Sequence, residues 1–278
     1  MAQENTQLVV IGGGPGGYAA AFLAADLGMQ VTLIDAEKNP GGVCLYRGCI
    51  PSKALLHSAK VLNEAREAED FGVYFEPPKV DINKLRDWKN EVIGKMTGGL
   101  GVLTKQRKIN YIQGCAKFLN NTTLEIESDG GTQQLGFEHA IIATGSLPTR
   151  VPTFDIGSDR IWNSTTALEL PHVPERLLIV GAGYIGLELG TFYAAMGSKV
   201  TTVEMMNGIL PGADRDLADV LWKRIHEMFH SVLLQTKVVS VEEVENGVKV
   251  VFEGDDFEEK EQIFDNVLVS VGRTPNSR

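Results

Sequence analysis

One pattern occurs twice in this chain, and it constrains the fold more than any other feature. Residues 7–11 (QLVVI) are apolar after Gln7 and enter the turn Gly12-Gly13-Gly14-Pro15-Gly16-Gly17, and an alanine-rich stretch follows over 18–27. Gly28 ends that stretch, 30–34 (QVTLI) reads as a second strand, and Asp35 closes the run. The order returns at 177–180 (LLIV), Gly181-Ala182-Gly183-Tyr184-Ile185-Gly186, 187–196, Gly197, 199–203 (KVTTV) and Glu204. In both copies the acid stands 23 positions after the first glycine, and the copies are offset by 169 residues. Each copy reads as buried strand, tight turn, helix, strand and acid. One such turn is a weak signal, but two in the same context predict two βαβ dinucleotide-binding units. The alternative is that both turns are plain glycine-rich connections.

Each glycine of such a turn has its own task. The first permits the sharp strand-to-helix turn, the second lets a pyrophosphate approach the backbone, and the third lets helix and strand pack closely. The helix start then presents unpaired N–H groups and the positive end of its dipole to the phosphates. Asp35 and Glu204 are placed to accept hydrogen bonds from ribose hydroxyls. A carboxylate at Glu204 repels a 2′-phosphate, and Met205, Met206 and Asn207 supply no arginine, so the second site is expected to take NAD rather than NADP. Two such sites suit electron transfer between two cofactors. A flavin beside a nicotinamide is the natural pair, because flavin accepts hydride and passes electrons to a disulfide.

The remaining chain fits an α/β reading. Helices are expected over 54–68, over 81–108 with an interruption at Gly98-Gly99, and over 214–229. Strands are expected over 124–127, 140–143 and 267–271, and a hairpin joins 238–244 to 248–252 through a type I′ turn at Asn246-Gly247. Pro148, Pro152, Pro171 and Pro174 bracket a domain boundary near 148–152.

Composition excludes several classes. The 278 residues are 43% hydrophobic, 22% charged and carry a formal charge of −10, which argues against disorder, nucleic-acid binding and anionic membrane surfaces. No apolar run reaches the ~18 residues of a membrane helix. Glu4 and the glycines of the first turn do not suit a secretory signal. Three cysteines are too few for a disulfide-stapled scaffold, and the expected compartment is the reducing cytoplasm.

In that setting a close cysteine pair suggests chemistry. Cys44 and Cys49 lie in the run GGVCLYRGCIPSK over 41–53. A five-residue step along a regular helix rises ~7.5 Å, whereas a disulfide needs Cα atoms within about 7 Å. A bond here therefore requires a distorted turn, which Gly48 permits. A distorted, exposed disulfide is easily reduced, and Lys53 with a helix start favours a thiolate. The alternative is two buried structural thiols. Cys115 has no partner nearby and reads as inert.

GGVCLYRGCIPSK resembles the redox motif of the flavoprotein disulfide reductases. Its IPSK ending, with Glu188 in the second helix and Glu204 at the ribose position, is similar to the dihydrolipoyl dehydrogenases, the E3 components of the 2-oxo acid dehydrogenase complexes. Ala143-Thr144-Gly145-Ser146 resembles that family's ATG crossover, and Gly272-Arg273-Thr274-Pro275-Asn276 its GRxPN segment. Glutathione-type and mercuric relatives are less similar, because their NADP-type members carry basic residues near the position of Glu204. The resemblance implies two Rossmann-like FAD/NAD(P)-binding domains of the three-layer ββα type. These are an incomplete FAD domain over 1–149, an NAD domain over 150–273, and the start of the return to the FAD domain over 274–278.

The resemblance also implies roles. Cys49 would lie nearest the flavin as the charge-transfer thiolate, Cys44 would be the interchange thiol, and Lys53 would sit near the flavin's reactive nitrogen, paired with Glu188. Gly12, Gly14, Gly17 and Asp35 would hold FAD; Gly181, Gly183, Gly186 and Glu204 would hold NAD, with Gly272 closing over it. Further cofactor contacts are implied at Pro15, Ala36, Gly42, Val43, Cys44, Lys53, Ala116, Thr144, Gly145, Ser146, Ala182, Tyr184, Ile185, Val238, Val271 and Arg273. The implied partners are dihydrolipoamide on the lipoyl domain of an E2 acyltransferase and a second copy in a homodimer. Neither nucleic acid nor membrane is implied. One departure is Tyr46-Arg47, where the family commonly has Asn-Val; Arg47 is expected to add positive charge beside the thiols.

After GRTPN the family continues for roughly another domain's length, with a flavin-contacting Gly-Asp segment and a dimerisation domain bearing a His–Glu acid–base pair. None of the five histidines here sits in that motif. His226 and His230 have i,i+4 spacing but no third ligand, so no metal is expected, and His57 reads as a packed or partly exposed helix residue. The C-terminal dimerisation domain is thus expected to be absent, the 278-residue chain catalytically incomplete or part of a longer protein, and the first domain is expected to expose a sheet edge or apolar patch. A non-catalytic nucleotide-binding module, or a reductase for another disulfide, shares every motif.

Overall fold

The computed structural model describes residues 4–254 and 260–277, so the extremes of the expected first domain and return segment, 1–3 and 278, lie outside the described residues. The chain forms two compact units. One comprises Met1–Pro51, Asn90–Leu147 and Pro275–Arg278, and the other Ser52–Lys89 and Pro148–Thr274.

In the first unit a six-stranded sheet runs Asn110–Gln113, Val31–Asp35, Glu4–Ile11, Gly131–Ile142, Thr123–Ser128 and Cys115–Asn120. The first four strands are parallel and the last two antiparallel. Residues 8–11 of Glu4–Ile11 are buried on both faces, as a central parallel strand should be. Leu8 and Val10 pack on one side with Ala21 and Ala24 of the helix Pro15–Asp26. Val9 and Ile11 pack on the other with Leu124, Ile126, Leu135 and Phe137 of the antiparallel strands. Helix, parallel sheet and antiparallel layer make three layers. Gly131–Ile142 serves two of them, since its first half pairs with Thr123–Ser128 and its second half with Glu4–Ile11. Beyond Gly136 no further strand among the described residues covers its other side, and Ile142 is 66% exposed. This is the open sheet edge expected of the first unit.

The second unit repeats the scheme. Its parallel sheet runs Ser231–Leu233, Lys199–Val203, Arg176–Val180, Asn266–Val269 and Ile161–Trp162. Leu177 and Ile179 face a helical layer with Phe192 and Tyr193, while Leu178 and Val180 face Val248, Val250, Phe252 and Phe264 of an antiparallel three-stranded layer. The fold is therefore α/β, with two Rossmann-like three-layer units.

Two local expectations are corrected. Ile82–Gln106 is one continuous 25-residue helix with no interruption at Gly98-Gly99. Thr97, Gly101 and Thr104 of that stretch are buried, and packing outweighs the weak helix propensity of two glycines. The hairpin pairs Lys237–Val244 with Gly247–Glu253 as expected, but its turn residues are Glu245 and Asn246, and the positive φ falls on Gly247 (147°). A type I′ turn needs positive φ at both central residues. Here the glycine is required one step later, where a Cβ would meet Phe264 O at 2.3 Å.

Candidate functional site

Each repeat places its glycine turn at the carboxyl end of the central strand, between neighbours reached by opposite crossovers. Ile11 is flanked by Ile34 and Ile142, and Val180 by Val203 and Val269. That crevice is where open α/β sheets bind ligands.

The turns have the shape of dinucleotide cradles. Gly12 has φ 103°, and a Cβ there would meet Ala143 O at 2.2 Å; Gly181 has φ 99°, with Ser270 O at 2.9 Å. A Cβ on Gly17 would lie 1.7 Å from Gly12 O, and one on Gly186 2.4 Å from Gly181 O, so the third glycine of each turn is required by helix–strand contact. The middle glycines differ. A Cβ on Gly14 would come no closer than 3.8 Å to its surroundings, and one on Gly183 would find nothing within 4 Å. Space is kept where a pyrophosphate would pass. Gly14 and Gly183 also cap the helices Pro15–Asp26 and Tyr184–Ala195 without any side-chain hydrogen bond, leaving the first N–H groups to a ligand. Tyr184 and Ile185 open the second helix, as Pro15 opens the first.

The acids sit at the expected ends of the second strands, and each spans two backbone donors. Gly13 N and Glu37 N donate to Asp35 Oδ2 and Oδ1 at 2.5 and 2.8 Å. Ala182 N and Met206 N donate to Glu204 Oε2 and Oε1 at 2.8 and 2.9 Å. The same bracing recurs in both repeats, with one backbone donor on each carboxylate oxygen.

The cysteine run does not form one regular helix. Gly42–Arg47 is a six-residue helix, Gly48 breaks it, and Cys49–Glu67 begins a second. The chain doubles back at Gly48, where a Cβ would lie 3.0 Å from Val43 O and 3.4 Å from Cys44 Cα. Cys44 is half-buried and Cys49 is exposed on the first residue of its helix, which removes the alternative of two buried structural thiols. Gly42, with φ 56°, starts the cysteine helix directly on the glycine turn, since a Cβ there would lie 2.5 Å from Gly14 Cα. Val43 follows it in the first turn.

The guanidinium of Arg47 is ion-paired with Glu37.

Lys53 and Glu188 meet as expected, with Nζ 2.5 Å from Oε1. Ser52, missed in the sequence, donates to the other oxygen, Oε2, at 3.0 Å and is only 7% exposed. Its place beside Lys53 was the available signal.

The crossover Thr144-Gly145-Ser146 follows Gly131–Ile142 and is held by the return segment. Asn276 N donates to Gly145 O at 2.9 Å and Asn276 Nδ2 to Thr144 O at 3.3 Å. Gly272 O accepts from Thr149 N, between Val271 and Arg273. Ala36 is exposed in the loop after Asp35, and Ala116 lies on the edge strand Cys115–Asn120. Val238 differs from the cradle residues, because its side chain is buried in the hydrophobic core of the second unit. Ser270 was also missed; its hydroxyl donates to Val180 O and Gly181 O and so buttresses the second turn.

Among the described residues no group of three metal-ligating side chains converges, and His226 stacks on Trp222 at 5.4 Å. No helix among them is long and apolar enough to cross a membrane.

The family profile of pyridine nucleotide-disulphide oxidoreductases matches residues 6–278. Dihydrolipoyl dehydrogenase of Vibrio parahaemolyticus is 46% identical over 279 residues, covering 100% of this chain and 58% of the relative. The enzyme of the same name from Haloferax volcanii is 45% identical over 274 residues, covering 98% of this chain and 57% of the relative. Among solved structures, the HOCl-induced flavoprotein disulfide reductase RclA of Escherichia coli superposes with a TM-score of 0.82 at 29% identity, covering 100% of this chain and 58% of that one. LpdA of Mycobacterium tuberculosis gives 0.87 at 26% identity, covering 98% and 60%. The chain thus spans a little over half the length of the relatives it matches, and along that span its two cradles and its cysteine elbow fall in the matched region: it belongs to the pyridine nucleotide-disulphide oxidoreductase family.

Proposed function

We propose that this chain is the cofactor-binding and disulfide-bearing part of a dihydrolipoyl dehydrogenase, transferring electrons from dihydrolipoamide through Cys44 and Cys49 and FAD to NAD⁺. The observation that supports this reading is that the short helix bearing Cys44 starts on the first glycine turn at Gly42 and is broken at Gly48, with Cys44 half-buried and Cys49 exposed. Residues 1–149 are read as the FAD domain, 150–273 as the NAD domain and 274–278 as the start of the return.

The residue roles are read as follows. The first turn and Asp35 hold the adenosine diphosphate of FAD, and the second turn and Glu204 hold NAD. Glu204 offers a carboxylate where a 2′-phosphate would have to lie, which supports NAD over NADP. FAD supplies a two-electron relay between the cysteine pair and the nicotinamide. Cys44 exchanges with the substrate sulfur while Cys49 faces the flavin side. Dihydrolipoamide would be oxidised to lipoamide's disulfide as the Cys44–Cys49 disulfide is reduced to the dithiol; reforming the cysteine disulfide gives up two electrons, which are the one hydride that NAD⁺ accepts, with one proton released. Glu188, held by Ser52 and Lys53, fixes the ammonium of Lys53 in one place.

The inferred partner is a lipoyl domain of an E2 acyltransferase, with a second copy as the dimer mate, and the inferred compartment is the cytoplasm. The high similarity to relatives named dihydrolipoyl dehydrogenase supports this choice over other disulfide substrates.

The test is a spectrum. The chain reconstituted with FAD should be yellow and should gain a long-wavelength band on partial reduction by dihydrolipoamide, with no such change on NADPH and glutathione disulfide. Glu204→Ala should weaken NADH binding at least roughly tenfold, the scale of a lost hydrogen bond to a charged group. A colourless chain that still binds NADH would instead identify a nucleotide-binding module without redox chemistry.

A further inference from the structure

Tyr46 and Arg47, the two departures from the resembled motif, both spend their polar groups on the loop between Asp35 and the cysteine helix. Arg47 Nη2 pairs with Glu37 Oε1, and Tyr46 Oη donates to Asn39 O at 3.0 Å. Glu37 N itself donates to Asp35 Oδ1. From the opposite side, Tyr111 Oη donates to Glu37 O at 2.7 Å and Gln113 Nε2 to Ala36 O at 3.1 Å. Burial, and then the charge of Asp35, push the Tyr111 hydroxyl above its ordinary range, so it remains a donor throughout the working pH range. Residues 36–41 belong to no helix or strand, so these side chains set the loop's course. Arg47 closes the loop into a ring that joins the ribose acid to the helix carrying Cys44.

We infer that Arg47 is a positioning residue: through Glu37 it ties the cysteine helix to the ribose end of the first cradle, so that filling the cradle and ordering the cysteine helix reinforce each other. This rests on the reading that the first cradle takes FAD. A ligand that engages Asp35 holds Glu37, and Glu37 holds Arg47. By linkage, whatever steadies the cysteine helix then tightens the ligand by the same factor. The ion pair is partly exposed, with the Arg47 side chain 45% and the Glu37 side chain 27% accessible, so the effect is modest.

The experiment uses the 278-residue chain with its thiols reduced. Two quantities are read: FAD affinity by flavin fluorescence, and the rate of cysteine alkylation by iodoacetamide across pH, with and without FAD. Arg47→Val and Glu37→Gln should each weaken FAD about twofold to fivefold, speed alkylation in the FAD-free chain, and shrink the protection that FAD confers. The double variant should be no worse than either single one. Exchanging the charges, Arg47→Glu with Glu37→Arg, should restore both readouts, which a merely space-filling role would not allow. Wild-type affinity and protection in Arg47→Val, or additive losses in the double variant, would overturn the inference. If the unaltered chain binds no FAD, the functional reading fails on its own, and alkylation of the FAD-free variants still decides: faster rates support the tie, and unchanged rates refute it.

Discussion

Glu188 accepts from Lys53 on one oxygen and from Ser52 on the other, and the two donors are adjacent in sequence. The buried hydroxyl orients the carboxylate, while the more exposed ammonium alone would leave it free to rotate. Ser52→Ala should therefore cost about 1 kcal/mol in urea unfolding, with Ser52→Thr recovering most of it. Asp265 is a second case where one side chain holds several donors. Burial alone would raise its carboxyl, but the hydrogen bonds and charge of Arg176 outweigh that and hold it below the ordinary carboxylate range. Arg176 contributes both its backbone N at 2.8 Å and its guanidinium at 2.7 Å. A depressed carboxyl binds its proton more weakly folded than unfolded, so its contribution is present above the unfolded value of 3.8 and is lost as pH falls through the lower folded one. Acid titration followed by circular dichroism should show Asp265→Asn less stable than the parent at neutral pH, with the difference vanishing at the acid end. A constant difference would refute the linkage.

At the scale of elements, the helix Ile82–Gln106 carries Gly94, Gly98, Gly99 and Gly101. Gly101 has a reason, because a Cβ there would meet Asn39 Oδ1 at 2.3 Å, whereas one at Gly98 or Gly99 would find nothing within 4 Å. Gly98→Ala and Gly99→Ala should each stabilise the protein by about 0.8–1.0 kcal/mol, read as a rise in melting temperature, while Gly101→Ala should lower it. The misplaced break at Gly98-Gly99 has the same origin. A glycine pair looks like punctuation in a sequence, and whether it punctuates depends on what its neighbours bury. Six-residue Gly42–Arg47 was unreadable for the opposite reason, being too short to show a period. The strands Glu4–Ile11 and Arg176–Val180 were legible through their apolar stretches, 8–11 and 177–180, which are buried on both faces.

At the scale of the molecule, residues 138–142 present a sheet edge paired on one side only, with Ile142 largely exposed. Such an edge invites pairing with another chain. Ile142→Lys should lower self-association measured by light scattering at rising concentration, with no change in far-ultraviolet circular dichroism. Unaltered self-association would mean that other surfaces dominate. The division into units also belongs to this scale. Ser52–Lys89 counts with Pro148–Thr274, because Leu55 and Ala59 pack into the cluster of Trp162, Phe192 and Tyr193. Linear sequence carries no sign of that, since the division falls after Pro51, inside the continuous helix Cys49–Glu67.

Local chemistry determined the two cradles, their acids and the cysteine run, because glycine without a Cβ, a strand apolar on both faces and an acid at fixed spacing each mean the same thing in any context. Tertiary structure decided what those groups touch. It set Ser52 beside Glu188, engaged the charge of Arg47 with Glu37, and folded the chain at Gly48 so that two sulfurs five positions apart escape a regular helix. Contacts of this kind join residues 10 to 136 positions apart. Such distances are set by packing, which no local spacing encodes.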